Sequence, residues 1–465
     1  MKDIFDIIVI GSGPAGISTS LTAYELGLNV LVIDEQSQVG GQIYKSIAEN
    51  LDGKKGFLGK DYLKGKHLYE RFISSGIEHW LETSVWQITE NKEVCFKRNG
   101  LTGIIKSKFI VICGGAYERA MPITGWTLPG VMSVGAAQTL LKSFSVGADN
   151  CVFVGCGPLL YLTVYQYLKA GFKVKAVLDT SRLKQIYFSI PYFFPALINF
   201  NLLWQGLRWI RYISKHTKVY RRVKNLSILG KEKAQGIEIT LSNEESLKID
   251  TQNIFLHQGI IPNTNLTMAT GIKHHWSQFQ YCWHPTLSLT GESSINGIYV
   301  AGDNGAIGGV NASLTSGRIV ALDIGKKLKK TTNFSKLFVW LRFLKDKSLQ
   351  PFLDILFQLD TKFLVPNNNN EIVCRCENVN KSEIENSIKL GISGLNQLKS
   401  YCRAGMGNCQ GRLCGLTVQT IIALRQNKNL NEVGYFRLRP PTKPITIKEL
   451  SSLEEYSMDK KQNIL

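Results

Sequence analysis

Short apolar runs, each followed by a glycine-rich turn and a helical pattern, organise the first part of the chain. Residues 6–10 read Asp-Ile-Ile-Val-Ile, which is typical of a strand buried on both faces of a parallel sheet. The turn Gly-Ser-Gly-Pro-Ala-Gly follows at residues 11–16, then a helix to about Leu26 and a second strand over residues 30–33. This order predicts a βαβ unit.

The same pattern returns later in the chain. Residues 151–154 form a second apolar run, followed by Gly-Cys-Gly-Pro-Leu-Leu at 155–160, a helical pattern, and a strand over residues 174–178. A strand ending in Gly302-Asp303 then resumes the first unit. The repeat predicts an α/β fold with two nested Rossmann-like dinucleotide-binding domains of the flavin disulfide reductase type, the second inserted in the first.

Composition shifts divide the rest of the chain. We predict that the first domain covers residues 1–120 and 271–330, with the second nucleotide-binding-type domain between them at 121–270. A helical segment and linker over 331–370 ends in a run of asparagines. A small helical cysteine module is predicted over 371–426, and a proline-containing, extended tail over 427–465.

One aromatic and apolar segment, residues 186–213, interrupts the second domain. It contains Pro191, Pro195, Arg208 and Arg211, which argue against a bilayer-spanning helix because such a helix needs about 20 mostly apolar residues. We therefore expect a packed helical excursion. The alternative is a surface that meets a partner or a membrane.

The first glycine-rich turn carries the candidate cofactor site. Gly11 permits the tight turn, Gly13 allows a pyrophosphate to approach the backbone, and Gly16 lets the helix pack on the strand. Asp34, at the end of the second strand, can accept hydrogen bonds from ribose hydroxyls. The Gly302-Asp303 pair favours FAD over NAD. The predicted cofactor-binding residues are Gly11, Ser12, Gly13, Pro14, Ala15, Gly16, Asp34, Glu35, Gly41, Gln42, Gly114, Gly115, Gly302 and Asp303.

The second turn departs from the nucleotide-binding pattern. Leu160 takes the position of the third glycine, and Leu178 takes that of the acid, with Asp179 beside it. NAD(P) or another adenine nucleotide could bind there, or the domain could keep the fold without a ligand. The chain has no Cys-x4-Cys pair beside its first domain, which argues against a disulfide reductase.

Four cysteines near the end of the chain form two tight pairs. Cys374 and Cys376 read C-R-C, and Cys409 and Cys414 read C-Q-G-R-L-C. Two such pairs can hold zinc or a [2Fe–2S] cluster, and the single-residue spacing of the first pair favours the cluster. Cys402 lies nearby as a bystander. Three arginines, Arg375, Arg403 and Arg412, would offset the charge of the thiolates.

Charge and cysteine usage narrow the cellular setting. The net charge of +19 is that of a solvated, lysine-rich surface, and an acidic partner or an anionic membrane surface is the alternative explanation. No motif or basic stripe indicates nucleic-acid binding. The clustered thiols fit a reducing compartment, and residues before the first strand do not form a signal peptide. We expect a cytoplasmic protein, with peripheral attachment at the inner face of the membrane as an alternative.

The motifs together resemble a known family. G-S-G-P-A-G, G-G-Q-I-Y, G-C-G-P-L-L, A-G-D-N-G and R-P-P-T-K-P are similar to those of α subunits of hetero-oligomeric, FAD-dependent amine and amino-acid dehydrogenases. These include the A subunit of opine oxidase, the B subunit of hydrogen cyanide synthase, and dye-linked proline and hydroxyproline dehydrogenases. The cysteine block resembles the bacterioferritin-associated-ferredoxin type of [2Fe–2S] module.

The resemblance implies oxidation of a C–N bond in an amino acid, opine or amine. It also implies that a flavoprotein of the β type is the partner, and that electrons pass through the cluster to a quinone or another acceptor. Two alternatives stay open: a self-contained NAD(P)H-dependent flavin and iron–sulfur reductase, and a non-enzymatic docking module that carries a cluster. The catalytic base is unassigned among His257, His274, His275 and His284, and Glu118 and Arg119 could lie near the flavin or join the domains.

Overall fold

A mixed sheet and a parallel sheet form the body of the protein, and each contains a strand followed by a glycine-rich turn and a helix. The computed structural model describes residues 5–50, 55–330 and 336–455. The start of the predicted helical segment at residue 331 and the end of the predicted tail after residue 455 therefore lie outside the described residues. The elements of the first half are β1 (Phe5–Ile10), α1 (Pro14–Glu25), β2 (Val30–Ile33), α2 (Lys60–Ser74), β3 (Glu78–Trp80), β4 (Ser84–Ile88), β5 (Glu93–Arg98), β6 (Leu101–Ile112), β7 (Ala116–Glu118), β8 (Val131–Ser133), α3 (Val134–Phe144), β9 (Cys151–Cys156), α4 (Pro158–Lys169), β10 (Val174–Asp179), α5 (Leu183–Ala196), α6 (Phe200–His216) and β11 (Lys218–Arg221).

The second half closes the first domain and adds the cysteine module. Its elements are β12 (Val223–Leu229), β13 (Gly236–Leu241), β14 (Ser246–Asp250), β15 (Ile254–Gln258), β16 (Ile260–Pro262), α7 (Asn265–Ala269), β17 (His274–Ser277), β18 (Cys282–Pro285), β19 (Ile298–Val300), α8 (Gly309–Lys327), α9 (Lys336–Lys347), α10 (Gln350–Leu356), β20 (Ile372–Cys374), β21 (Val379–Asn380), α11 (Lys381–Lys389), α12 (Leu395–Cys402), α13 (Gly415–Gln426), α14 (Leu430–Val433), α15 (Ile447–Ser451) and β22 (Glu454–Glu455).

The first sheet has the strand order β3-β2-β1-β6-β5-β4, and β19 and β22 also pair with β6. β1 pairs in parallel with both β2 and β6, so its carboxyl end lies in the middle of the sheet. β19 returns from the far side of the second domain and pairs in parallel with β6. This return brings the Gly302-Asp303 turn to the same edge as the first glycine-rich turn, and α1 and α8 pack together on one face.

The second sheet has the order β11-β10-β9-β15-β8, with every pair parallel. A three-stranded antiparallel sheet, β12-β13-β14, covers one side of it. The predicted α/β fold with two nested Rossmann-like domains is confirmed.

The aromatic segment inserted in the second domain is helical, as predicted, but it is not packed as we expected. α5 and the first part of α6 leave most of their large apolar side chains exposed, including Tyr187, Phe188 and Phe194. The last turns of α6, around Ile213, are buried against α4. By length and composition, residues 183–216 are apolar enough to cross a membrane.

The cysteine module has a small core of its own, built on α11, α12 and α13. The segment after residue 426 differs from the predicted extended tail. It contains the helices α14 and α15, and it places Phe436 and Leu438 in the core of the module. The stretch between these helices then runs to the first domain, where Thr442 donates two hydrogen bonds to the Trp86 carbonyl, 2.9 Å from its N–H and 3.0 Å from its hydroxyl.

Candidate active site

A large cavity lies between the two sheets, with a volume of about 1630 Å³. It is lined by the glycine-rich turns of both domains, by the start of α8, by α10, and by residues from the end of the chain. Eleven of the predicted cofactor-binding residues line it: Gly11, Gly13, Pro14, Ala15, Asp34, Glu35, Gly41, Gln42, Gly114, Gly115 and Asp303. The other three, Ser12, Gly16 and Gly302, support this lining from behind.

The first turn is so closely packed that two of its glycines leave no room for a side chain. A Cβ on Gly16 would lie 1.8 Å from the Gly11 carbonyl oxygen. A Cβ on Gly11, whose φ is +103°, would lie 2.4 Å from the carbonyl oxygen of Cys113. Gly41 also has positive φ, and its Cβ would lie 2.8 Å from the Gly13 Cα. The turn therefore presents bare backbone and the N-terminus of α1 to the cavity, as a pyrophosphate requires.

Asp34 ties the end of β2 to this turn. Its Oδ2 accepts hydrogen bonds from the backbone N–H of Ser12, at 2.5 Å, and from the Ser12 hydroxyl, at 2.7 Å. Its Oδ1 accepts from the Gln36 N–H at 2.8 Å. The neighbouring Glu35 forms an ion pair with Lys443, at 2.5 Å, from the proline-containing segment near the end of the chain. Both carboxylates line the cavity, where a ribose could reach them.

Lys142 connects the second domain to the turn that closes the first site. Its Nζ donates to the carbonyl oxygens of Gln42, at 2.9 Å, and Ile43, at 3.1 Å. Burial lowers the pKa of this lysine to about 7. The side chain comes from α3 and lines the cavity, so burial at the candidate cofactor site disfavours its charged form.

The opposite end of the site is formed by Asp303. Its Oδ1 accepts hydrogen bonds from the N–H groups of Gly308, at 2.9 Å, and Gly309, at 3.1 Å, where α8 begins. Burial raises its pKa. A Cβ on Gly302 would lie 2.7 Å from the Ala15 side chain, so this turn packs directly on the first one.

Two asparagines that line the cavity have unsatisfied groups. The side-chain oxygens of Asn263 and Asn265 are buried and have no hydrogen-bond partner among the described residues. The Gly114 N–H nearby donates to the Asn304 side chain at 3.2 Å. Buried polar atoms without partners are rare, and a bound cofactor would satisfy them. With the bare glycine backbone and the two acids, the residues present fit FAD.

The second glycine-rich turn lines the same cavity but differs in its acid and its third position. Leu160 is fully buried in the core of the domain. The Asp179 carboxylate accepts a hydrogen bond of 2.5 Å from the buried Tyr161 hydroxyl, and neither residue lines the cavity. Phe357, from the end of α10, packs on the Tyr161 ring. The acid that would hold a ribose is thus used inside the protein.

Of the four candidate histidines, only His257 lines the cavity. It is buried and its Nδ1 lies 2.6 Å from the Glu118 carboxylate, which also accepts from the Gly135 N–H at 2.6 Å. Burial lowers the pKa of both His274 and His284 to about 4. The Arg119 guanidinium joins the two domains, because it donates hydrogen bonds to the backbone carbonyls of Gln258, Gln280 and Tyr281.

The four predicted metal-ligating cysteines lie in two pairs, but in the part of the chain that the structure describes no group of three or more histidine, cysteine, aspartate or glutamate side chains is arranged to hold a metal ion. The thiols of Cys374 and Cys414 form one hydrogen-bonded pair, and those of Cys376 and Cys409 form the other. The hydrogen bond from Cys414, with backbone N–H groups of Gly405 and neighbouring residues, lowers the pKa of Cys374 to about 6, while the pKa of Cys414 is raised.

Other residues support this arrangement without joining it. A Cβ on Gly407 would lie 2.1 Å from that of Cys376, so only glycine fits there. Cys402 stands aside, and its thiol bonds to the Leu398 carbonyl. Of the three arginines, Arg375 lies over the Trp126 ring and Arg403 pairs with Glu377 at 2.7 Å.

The third arginine, Arg412, connects the cysteines to the cavity. It lines the cavity, and its Nε donates to the carbonyl of Cys409 at 3.0 Å. Tyr117, another cavity residue, lies close enough to Arg412 and Cys409 to interact with both electrostatically, and burial raises its pKa. The candidate cofactor site and the cysteine cluster are therefore neighbours.

Sequence reasoning missed several residues of the site. Lys142 and Asn263 stand in no motif, and their side chains reach the cavity only through the packing of the two domains. Lys443 did carry a signal, because it belongs to the R-P-P-T-K-P motif, but an extended tail gave no reason to place it beside Glu35.

Known proteins with similar sequences cover nearly the whole chain. Residues 5–189 match the pyridine nucleotide-disulphide oxidoreductase family, and residues 368–452 match the sarcosine oxidase A3 domain. The chain is 37% identical to the A subunit of opine oxidase from Rhizobium meliloti, covering 97% of this chain and 88% of that one. It is 36% identical to the A subunit of opine oxidase from Agrobacterium tumefaciens strain Ach5, covering 97% and 92%. With hydrogen cyanide synthase subunit HcnB of Pseudomonas protegens the identity is 26%, over 94% and 96%.

Solved structures agree on the fold. L-proline dehydrogenase from P. horikoshii superimposes with a TM-score of 0.70 at 21% identity, covering 96% of this chain and 79% of that one. Thioredoxin reductase from T. acidophilum matches with a TM-score of 0.51 at 16% identity, covering 70% and 99%. The relatives by sequence are named as subunits, which implies enzymes of more than one chain. The chain therefore belongs to the family of opine oxidase A subunits and is an FAD-dependent oxidoreductase.

Proposed function

We propose that this chain is the electron-relaying, α-type subunit of an enzyme that oxidises the C–N bond of an amino acid, opine or amine. A second flavoprotein chain of the β type completes the enzyme. The observation that carries the proposal is the position of Arg412, which lines the cofactor cavity and bonds to the backbone of Cys409. The names of the relatives that align over nearly their full length, opine oxidase and hydrogen cyanide synthase subunits, give the class of substrate.

FAD bound here would supply the capacity to take up two electrons and release them one at a time, between the partner chain that oxidises the substrate and the cysteine module. The residues of this chain bind and orient the cofactor. Asp34 and the bare first turn hold the ribose and pyrophosphate, and Asp303 orders the start of α8 at the other end. Arg119 holds the two walls of the cavity together.

We also propose that Cys374, Cys376, Cys409 and Cys414 hold a [2Fe–2S] cluster. Such a cluster takes its four cysteines as two per iron, and the two thiol pairs support this arrangement. The C-x-C spacing of the first pair is tighter than the spacing that zinc sites commonly use. A cluster passes electrons one at a time, which suits a quinone or another one-electron acceptor.

Iron analysis tests the cluster. Anaerobically purified protein should contain about two iron atoms per chain, with matching acid-labile sulfide and visible absorption. Cys376→Ser should lose most of the iron, whereas Cys402→Ser should keep it. One zinc per chain without iron would contradict the proposal. If Cys402→Ser loses its iron and Cys376→Ser keeps it, Cys402 is a ligand in place of one of the four proposed cysteines.

Co-expression tests the need for a partner. Co-expressed with a β-type flavoprotein chain, the protein should reduce a dye with an opine or amino acid as donor. Alone, it should be slower by at least about tenfold, because the substrate pocket lies in the partner. Full activity of the isolated chain would overturn the division of labour but not the flavin assignment.

We propose further that the second domain is a scaffold and does not accept NAD(P)H. The support is Asp179, whose carboxylate is bonded to Tyr161 inside the protein instead of facing the cavity. Anaerobic mixing with NADH or NADPH should leave the flavin oxidised. Rapid bleaching would contradict this and favour the self-contained reductase, while a flavin and cluster that no donor reduces would favour a docking module.

A further inference from the structure

The helices inserted between β10 and β11 expose their apolar residues and bury their polar ones. Tyr187 is 73% exposed, Phe188 62% and Phe194 69%, whereas Gln185 and Ser189 are 4% and 2% exposed. A surface helix of a water-soluble protein turns its apolar side inward, so this orientation is the reverse of the usual one. The exposed side chains are consecutive in space along one helix and do not occur singly.

One buried polar side chain holds the inserted helices in this orientation. Asn199, at the corner between α5 and α6, donates to the Lys345 carbonyl at 2.7 Å and to the Ser348 hydroxyl at 2.9 Å. Rotating the inserted helices to hide their aromatic side would break these two bonds and leave the Asn199 amide unpaired.

The bonds of Asn199 also place a second apolar helix next to the corner. α9, which ends beside Lys345, exposes Leu337 and Leu341. We call these two residues, together with four from the inserted helices, the apolar platform: Tyr187, Phe188, Phe194, Ile198, Leu337 and Leu341.

The charged side chains of the inserted helices themselves have one sign. Residues 183–216 contain no aspartate or glutamate, but they include Lys184, Arg208, Arg211 and Lys215. The single acid of α9, Asp346, is turned inward, where it accepts from the Thr315 hydroxyl at 2.6 Å. An apolar face bordered by basic residues matches an anionic lipid surface, whereas a protein partner would have to supply acids to match it.

The topology decides between lying on a membrane and crossing it. β10 and β11 are adjacent parallel strands of one sheet, so the inserted helices leave from that sheet and return to it. A single crossing would leave the two ends on opposite sides of a bilayer about 30 Å thick. A single crossing of a bilayer by this segment is therefore excluded, and any contact with lipid is along the membrane surface.

We propose that the apolar platform inserts into the interface of an anionic lipid bilayer and holds the protein there. Gln205 and Trp209, on the same inserted helices, line the cofactor cavity. Insertion would thus bring the cavity close to the bilayer and to lipid-soluble electron acceptors. This last consequence rests on the proposed function, but membrane binding itself does not.

Vesicle flotation tests the proposal with the full-length, FAD-loaded chain, alone and with its co-expressed partner chain. Vesicles of phosphatidylcholine and phosphatidylglycerol at a ratio of about 7:3 should carry the protein upward, and phosphatidylcholine alone should carry several-fold less. Phe188→Ser combined with Phe194→Ser should weaken binding at least about tenfold. Arg211→Glu combined with Lys215→Glu should weaken it by a similar factor, with most of that loss reproduced by high salt in the wild type.

The matched control is Phe144→Ser, which removes a phenylalanine that is 70% exposed elsewhere on the protein. It should bind vesicles like the wild type, and all variants should keep their flavin and dye-reducing activity. If the wild type stays unbound with either vesicle, or if Phe144→Ser loses as much binding as the double variant, the proposal is wrong. The proposal is also wrong if the variant with Phe188→Ser and Phe194→Ser still binds vesicles but no longer binds the partner chain. The platform would then be an interface between chains.

Discussion

The two glycine-rich turns share one backbone design and use it differently. In the first, Asp34 bonds to Ser12 across the turn and still lines the cavity. In the second, the Asp179 carboxylate accepts a hydrogen bond from the hydroxyl of Tyr161 on α4, and Asp179 does not line the cavity. The third glycine of the first turn allows close packing of α1, whereas Leu160 fills that place with core side chain.

If the second domain is the scaffold that we propose, strand, turn and helix are not sufficient for a nucleotide site. The two turns differ in the direction that the carboxylate after the second strand takes. In the second turn this direction depends on Tyr161, and no nucleotide-binding motif includes a tyrosine at that position. A domain can therefore keep the fold for packing and lose the ligand. The second domain still contributes side chains, such as those of Lys142 and His257, to the lining of the cavity that holds the first turn.

The largest effect on flavin binding is expected when a methyl group is added to the first turn. Gly16→Ala would place its Cβ 1.8 Å from the Gly11 carbonyl oxygen, so turn and helix must separate. We expect flavin retention to fall by about 100-fold or more, because the pyrophosphate cradle is lost. The ratio of flavin absorbance to protein after gel filtration measures it.

Leu160→Ala is the matched change in the second turn. It should cost about 2–5 kcal/mol of unfolding free energy through the cavity it leaves, while flavin stays bound to the folded protein. Equal loss of flavin from both folded variants would show that the second turn is also a cofactor site.

The glycine-rich turn and Asp34 of the first site could be predicted from the sequence because they belong to one local unit. Gly11, Gly13, Gly16 and Asp34 are fixed by one βαβ unit, and their spacing determines where they meet. The parts that escaped prediction come from distant segments, such as Lys443, and depend on domain packing. The exposure of α5 was also unpredictable from composition, because an aromatic helix looks the same whether it faces a core or a membrane.

Replacing Asp34 and Asp179 by their amides, one at a time, tests whether only the first carboxylate contributes to flavin binding. Asp34→Asn replaces an oxygen that accepts two hydrogen bonds from Ser12, and it removes the charge facing the ribose. Flavin affinity should fall about tenfold or more, as for hydrogen bonds to a charged group. Asp179→Asn should leave flavin affinity unchanged within about twofold and lower the unfolding free energy by about 1–3 kcal/mol. Flavin titration of the apoproteins and urea unfolding separate the two effects.

Lys142 offers a pH test of the contact between the domains. Its folded pKa is about 7 and its ordinary value is 10.5, so the unfolded chain binds more protons between these values. Stability should therefore rise with pH across that window, and Lys142→Met should remove this part of the rise. Urea midpoints of the apoprotein from pH 7 to 10 measure it, with the exposed Lys64→Met as control. An unchanged slope in Lys142→Met would mean that the lysine has its ordinary pKa.

The smallest effect concerns Lys443, the contribution of the C-terminal segment to the first site. Its ion pair with Glu35 is partly exposed, with 26% and 45% of the two side chains accessible, so it should contribute at most about 1 kcal/mol. Lys443→Met should lower flavin affinity by no more than about fivefold, and added salt should abolish the difference. The half-exposed pair Lys224–Glu244, in the second domain, is the control, and Lys224→Met should not change the flavin at any salt concentration. A much larger, salt-independent loss in Lys443→Met would mean that this lysine contacts the cofactor directly, and the first site would then be built from both ends of the chain.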